Sequence, residues 1–245
     1  MLATAKTHAS GTSTSAEIDR AKAIVDNARR RFAKVKDYSC LLEKREIING
    51  RPAPHFRSNL KIRTEPRSVY LKFLEPKAGR EAIYVVGKNK GKALVHDVGL
   101  GKLLAGTLHL DPLGSMAMED CRHPITEAGI GHLTNMIAER WAVELRPEES
   151  RLVFDEDVKL DDRHCLTIES IHTKRMPGDF FERVRVTFDD ELGLPIRFEA
   201  YEWPQTPGGV PLLVEDYIYH NLKLNVGLAD ADFDPSNRGY SFGRF

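Results

Sequence analysis

The stretch FERVRVTFDDELGLPIRFEAYEW, residues 181–203, alternates with a period of two on both sides of a DELG turn. Val184, Val186 and Phe188 fall on one side of the first run, with Arg183, Arg185 and Thr187 on the other. After the turn, Leu194, Ile196, Phe198 and Ala200 form a second apolar set. Successive side chains of a strand leave on opposite faces, so the two runs predict an antiparallel hairpin with one apolar and one charged face. A sheet made of such strands packs on one side and meets water on the other.

The same period extends outward in both directions. Downstream, LLVEDYIYHNLKLN (212–225) reads as a long strand; upstream, RLVFDEDVKL (151–160) and HCLTIESIHT (164–173) read as two more. In the N-terminal half, SCLLEKREII (39–48) leads to an Asn49-Gly50 turn of the kind that closes tight hairpins. SNLKIRT (58–64), with Leu60 and Ile62, follows. SVYLKFL sends Val69, Leu71 and Phe73 to one side, and EAIYVVG and KALVHDV are joined by a KNKG turn. Links this short imply a meander of antiparallel neighbours without crossover helices.

Two helices interrupt the strands. Thr14 with Glu17 makes a capping-box signature, after which Ile18, Ala21, Val25, Ala28, Phe32 and Val35 recur at steps of three and four, predicting a helix that ends near Asp37. The alternation lapses from Gly99 to Pro124. A second helix is then expected from Thr126 to Trp141, with Ile130, Leu133, Ile137 and Trp141 along one stripe. Gly129 and Gly131 weaken its first turns by about 1 kcal/mol each relative to alanine, which predicts a movable entrance.

About ten strands spaced ~4.8 Å apart span some 45 Å, whereas a helix is only ~10–12 Å across. Two helices cannot cover a flat sheet of that width, so the sheet must curl around them. The expected fold class is mainly β (α+β), a curved antiparallel half-barrel enclosing the N-terminal helix and a lid helix. Such an interior, incompletely filled, suits a hydrophobic ligand. Val69, Leu71, Phe73, Val184, Val186 and Phe188 are the expected cavity face of the sheet. Leu103, Leu104, Leu108, Leu110, Leu113, Met116 and Met118, irregularly spaced and flexible, are expected in a lid together with Ile130, Leu133, Ile137 and Trp141. The alternative is that these residues simply close the barrel end.

Lys plus Arg equal Asp plus Glu, 36 against 36, so no bulk positive charge is available for nucleic acid. No apolar run approaches the ~20 residues of a membrane-spanning helix. The start, MLATAKTHASGTSTSAE, lacks the apolar core of a secretion signal and is expected to be a disordered leader over residues 1–15, or what remains after a signal is removed. No linker separates two cores, so residues 16–245 are expected to form a single domain, monomeric, with a lid insertion at about 99–141. Cys40, Cys121 and Cys165 are an odd number without paired spacing; buried hydrophobes are the simplest reading, and one disulfide is the alternative in an oxidising compartment.

No catalytic residues, metal or cofactor are assigned. There is no GxSxG, Ser115 lacks the elbow signal, and His164 and Cys165 project to opposite faces of a strand. His123, Glu127 and His132 lie close in sequence beside Cys121, but Pro124 is expected to start the helix and leave His123 outside it, so loop and cap residues are the better account than a metal site. His96 and His172 read as half-buried strand residues.

The order of helix, meander, loop with helix and second meander accompanies three segments: SVYLKFLEPKAGREAIYVVGKNKGKALVH, ELGLPIRFEAYEW and EDYIYHNLKLNVGLADADFDP. From about Ala16 to Pro235 the chain resembles an uncharacterised bacterial family of exported proteins, a domain-of-unknown-function family. That family is similar in pattern to the LolA/LolB-like lipoprotein-localisation carriers. The resemblance implies a half-barrel with lid helices, a place in the periplasm or cell envelope, and a non-enzymatic function of holding a lipid acyl chain or a lipidated protein. It also implies an arginine inside the cavity that latches the lid. Arg80, in AGRE, is the candidate, against a turn arginine paired to a carboxylate. The functional alternatives are an envelope protein-interaction module with a filled barrel and, third, a hydrolase or metal-dependent enzyme.

Overall fold

The computed structural model describes residues 11–99, 106–206 and 208–242. The first helix, α1, runs Ser15–Phe32 and is capped as its sequence predicts: the Glu17 N–H donates to Thr14 Oγ1, and the Thr14 N–H donates to Glu17 Oε2 at 2.8 Å. It stops five residues before Asp37. The reason is that Lys36 is already committed to the sheet, its N–H donating to Asn225 Oδ1 at 2.7 Å and its carbonyl accepting from the Thr64 N–H at 2.8 Å.

Twelve strands follow among the described residues: β1 Asp37–Ile48, β2 Arg51–Pro52, β3 Phe56–Arg63, β4 Ser68–Glu75, β5 Glu81–Val85, β6 Ala93–His96, β7 Thr107–Leu110, β8 Ser150–Leu160, β9 Arg163–His172, β10 Arg183–Asp189, β11 Pro195–Glu202 and β12 Leu212–Leu224. They form one antiparallel sheet in the order β7-β6-β5-β4-β3-β1-β12-β11-β10-β9-β8, with β2 paired to β1 alone. The two meanders therefore meet in the middle, where β1 pairs with β12 (Leu42 opposite Tyr219). The end strands β7 and β8 remain apart, so the sheet is an open, curved half-barrel. Two strands went unseen in the sequence: β2, only two residues long, and β7, which lies inside the expected lapse.

Between β7 and β8 the chain makes a single helical turn α2 (Ser115–Met118), a 3-10 turn over Ile125–Glu127, and helix α3 (Ile130–Glu144). The sequence placed the start of this helix four residues too early. Gly129 stands at φ +101°, outside helical geometry, and ends any continuation from Thr126.

Helices α1 and α3 fill the concave side of the C-terminal half-sheet. Ile18, Ala21, Val25 and Ala28 of α1 pack with Ile130, Ile137 and Trp141 of α3 against Val184, Val186, Phe188, Ile196 and Phe198 in one buried cluster. The expectation of a sheet wet along its whole outer face is corrected by a second cluster. Tyr70, Ile83, Val85 and Leu94 point outward from β4, β5 and β6 and are covered by Phe233 and Phe242 of the C-terminal segment. The unbroken apolar run in EAIYVV is the signature of a strand buried on both faces.

Candidate functional site

The N-terminal half-sheet curls over a space that the helices do not fill. A cavity of about 180 Å³ lies between β1, β3–β7 and β12 on one side and residues 116–136 on the other. Its walls include the apolar side chains of Leu42, Phe56, Leu71, Phe73, Val95 and Leu110, and ionisable ones both on β1 and β12 (Lys44, Glu46, Glu215, Tyr217) and on the cover (Glu119, Asp120, Glu127). Leu42, Leu71 and Phe73 face the concavity yet keep accessible surface, whereas Val186, Phe188 and Phe198, on the same side of the C-terminal half-sheet, are fully buried.

The cover is held by polar contacts that tie it to the sheet. Arg67, between β3 and β4, donates through Nε to the Thr126 carbonyl at 2.9 Å and through Nη2 to the Ala128 carbonyl at 2.6 Å. Tyr38 Oη accepts the Ile130 N–H at 2.9 Å, satisfying one of the donors left open at the start of α3. Arg122, on the cover, donates to Glu215 Oε1 at 2.9 Å, Glu202 Oε1 at 3.2 Å and the Ile47 carbonyl at 2.7 Å. His123 stands between Glu215 at 3.2 Å and Glu127 at 3.3 Å. Lys44 donates to Glu46 at 2.9 Å and to Cys121 Sγ at 3.3 Å, and Tyr217 Oη donates to Glu46 at 2.5 Å.

These contacts shift the groups that make them. The hydrogen bond to Glu215 raises the His123 pKa despite burial. Burial alone would push Glu215 up, but His123 and Arg122 hold its carboxyl below the usual range. Lys44 is likewise held up by Cys121 and Glu46 against its burial. His132 is shifted downward, chiefly by burial, although its Nε2 lies 3.6 Å from Glu127. Partly buried ion pairs of this kind add little net stability because desolvation and solvent screening offset their attraction. Their effect here is to fix where residues 120–128 dock on the sheet.

The positions expected from the sequence divide among several places. Leu71, Phe73, Met116 and Leu133 line the cavity. Val69, Ile130, Ile137, Trp141, Val184, Val186 and Phe188 belong to the packed core. Leu108 and Leu110 lie on β7, in the wall of the sheet. Met118 is half-buried in α2, while Leu113 and Met116 are 73% and 59% exposed. Leu103 and Leu104 lie outside the described residues. Arg80 lines the cavity but pairs with Asp97 at 3.6 Å across β5 and β6; the arginine that binds the cover is Arg67. The helix entrance expected to be soft is tightly fitted: a Cβ at Gly129 would fall 2.1 Å from Tyr38 Oη, and one at Gly131 would fall 2.3 Å from the Phe32 ring.

His123 and His132 do converge on Glu127, but no group of three or more metal-ligating side chains is arranged around a common point among the described residues. Cys40, Cys121 and Cys165 are all unpaired. No helix among the described residues is long and apolar enough to cross a membrane.

An open antiparallel sheet curved around two helices, with a covered apolar cavity in its unfilled half, is an α+β half-barrel. The chain belongs to the family of proteins of unknown function DUF1571, whose sequence profile matches residues 35–242. No curated protein matches it. Among solved structures it is similar to the Mycobacterium tuberculosis lipoprotein LppX, at 10% identity and a TM-score of 0.48, covering 90% of this chain and 100% of that one. It is also similar to an uncharacterised conserved protein from Thermus thermophilus, at 11% identity and a TM-score of 0.46, covering 87% and 92%. A LolA superfamily protein from Nitrosomonas europaea matches at 13% identity and a TM-score of 0.34, covering 87% and 97%.

Proposed function

We propose that the protein is a non-enzymatic envelope carrier that holds the apolar chain of a lipid or lipidated protein in the cavity between its N-terminal half-sheet and the segment 116–136. The observation that supports this reading is the contrast within one concave surface. Val186, Phe188 and Phe198 are fully buried beneath α1 and α3, whereas Leu42, Leu71, Phe73 and Leu110 in the cavity wall keep accessible surface beside the buried Phe56 and Val95. Removing apolar surface from water is worth about 25 cal/mol per Å², so half-buried Leu and Phe side chains facing a cavity inside a fold favour an apolar guest. Placement in the cell envelope rests on the sequence resemblance to exported proteins.

Native mass spectrometry of protein purified without detergent, followed by solvent extraction, tests the reading. The expected result is a population heavier than the bare chain by the mass of an apolar molecule, which the extract then contains. A bare chain that also fails to bind an uncharged fluorescent probe saturably would contradict it.

A further inference from the structure

The walls of the cavity are lopsided in charge. Among the described residues they carry the carboxylates of Glu46, Glu119, Asp120, Glu127 and Glu215 but only two fixed cations, Lys44 and Arg80. Both cations are committed: Lys44 to Glu46 at 2.9 Å and Arg80 to Asp97 at 3.6 Å. Asp120 is answered from outside the cavity by Lys77 at 2.9 Å, and Glu215 by Arg122 at 2.9 Å. Among the described residues Glu119 and Glu127 have no Lys or Arg partner, and Glu127 meets the imidazoles of His123 and His132, at 3.3 and 3.6 Å.

An anionic head entering this space would find every fixed cation of the wall already paired and would sit among carboxylates in a poorly screened site. A hydroxyl, amide or ammonium head would instead donate to a carboxylate, the stronger class of hydrogen bond. From this arrangement we infer that the ligand is an amphiphile whose head is not anionic and donates hydrogen bonds, held with its chain against Leu42, Leu71 and Phe73 and its head toward Glu119 and Glu127. This rests on the carrier reading and narrows the class of lipid it accepts.

The test is displacement of N-phenyl-1-naphthylamine, an uncharged probe, from the full chain at pH 7.5 by three twelve-carbon amphiphiles: dodecanoate, dodecylamine and monododecanoylglycerol. Dodecylamine and monododecanoylglycerol should displace the probe at concentrations at least tenfold below dodecanoate. In Glu127→Gln, and separately in the more exposed Glu119→Gln, the ratio of the dodecanoate to the dodecylamine displacement concentration, each corrected for that variant's own probe affinity, should shrink several-fold. Dodecanoate binding as well as or better than the other two overturns the inference and leaves the carrier reading standing. A preference unchanged in both variants also overturns it, because selectivity then arises elsewhere. Failure of the probe itself to bind removes the carrier reading and this inference together.

Discussion

Tyr38 Oη lies 2.9 Å from the Ile130 backbone nitrogen and Tyr38 is fully buried, so the first strand of the sheet caps the helix whose first turns complete the cover. Burial pushes the Tyr38 phenol well above its ordinary pKa, which keeps it neutral across the physiological range. Tyr38→Phe leaves the Ile130 N–H without a partner and should lower stability by about 1–3 kcal/mol. Gly129→Ala should cost more, above ~3 kcal/mol, because it combines a positive φ with a clash against the same hydroxyl. Denaturant midpoints of the two variants check the order; equal stability of all three proteins would show that α3 is docked some other way.

Arg67 should control the exchange of whatever lies beneath the cover, since its guanidinium holds the Thr126 and Ala128 carbonyls. Arg67→Ala is expected to speed probe release severalfold and to deprotect residues 116–128 in hydrogen exchange. Arg80→Ala should leave that segment protected, because Arg80 pairs within the sheet. The reverse pattern would exchange the roles of the two arginines.

The cover should loosen as pH rises. The His123 pKa is raised above its ordinary 6.5 by Glu215, so its contribution is fully present below 6.5 and is lost as pH climbs through the raised value. Glu215 acts oppositely: its pKa is held below the ordinary 4.5, so its contribution is present above 4.5 and lost as pH falls through the lowered value. The other ionisable groups around this pair are Lys44, Glu46, Arg122, Glu127, His132 and Tyr217. Hydrogen exchange of residues 116–128, corrected for intrinsic rates, should show strongest protection on the acid side of neutrality and a decline above pH 6.5. His123→Gln should flatten that decline; an unaltered profile would place the switch on another group.

The outer cluster offers an independent test of the C-terminal segment. Phe233 is 5% exposed and packs with Tyr70, Ile83 and Val85, while the Ser241 N–H donates to the buried carboxylate of Glu81 at 2.6 Å. Phe233→Ala is expected to cost ~3 kcal/mol, at the lower end for a buried aromatic truncation because the cluster is small. A loss below ~1 kcal/mol would mean that the segment is not part of the cooperative fold.

Most strands were legible because a strand with one wet face writes its alternation into the sequence, as Val184, Val186 and Phe188 do. The pairing of β1 with β12 was not, since partners this far apart in the chain leave no local signal. The polar side of the cavity was legible only in hindsight. Lys44 and Glu46 continue the parity of Cys40 and Leu42, and Glu215 that of Tyr217 and Tyr219, so charges at apolar-parity positions near strand ends marked the place where the cover docks. Gly129 and Gly131 illustrate the opposite error. Propensity assigns them a loss of helix stability, but neighbours close enough to exclude a side chain determine what stands there.

The central claim is that the space beside Leu71 is kept open for a guest, and Leu71→Trp measures it most directly. An indole there projects into unfilled volume, so the unliganded protein should keep its stability within ~1 kcal/mol instead of losing the ~1–3 kcal/mol of an overpacked core. Titration with N-phenyl-1-naphthylamine should give saturable binding in the parent and at least tenfold weaker binding in the variant. Equal affinity in the two proteins, or a marked loss of stability without binding in the parent, would contradict the account.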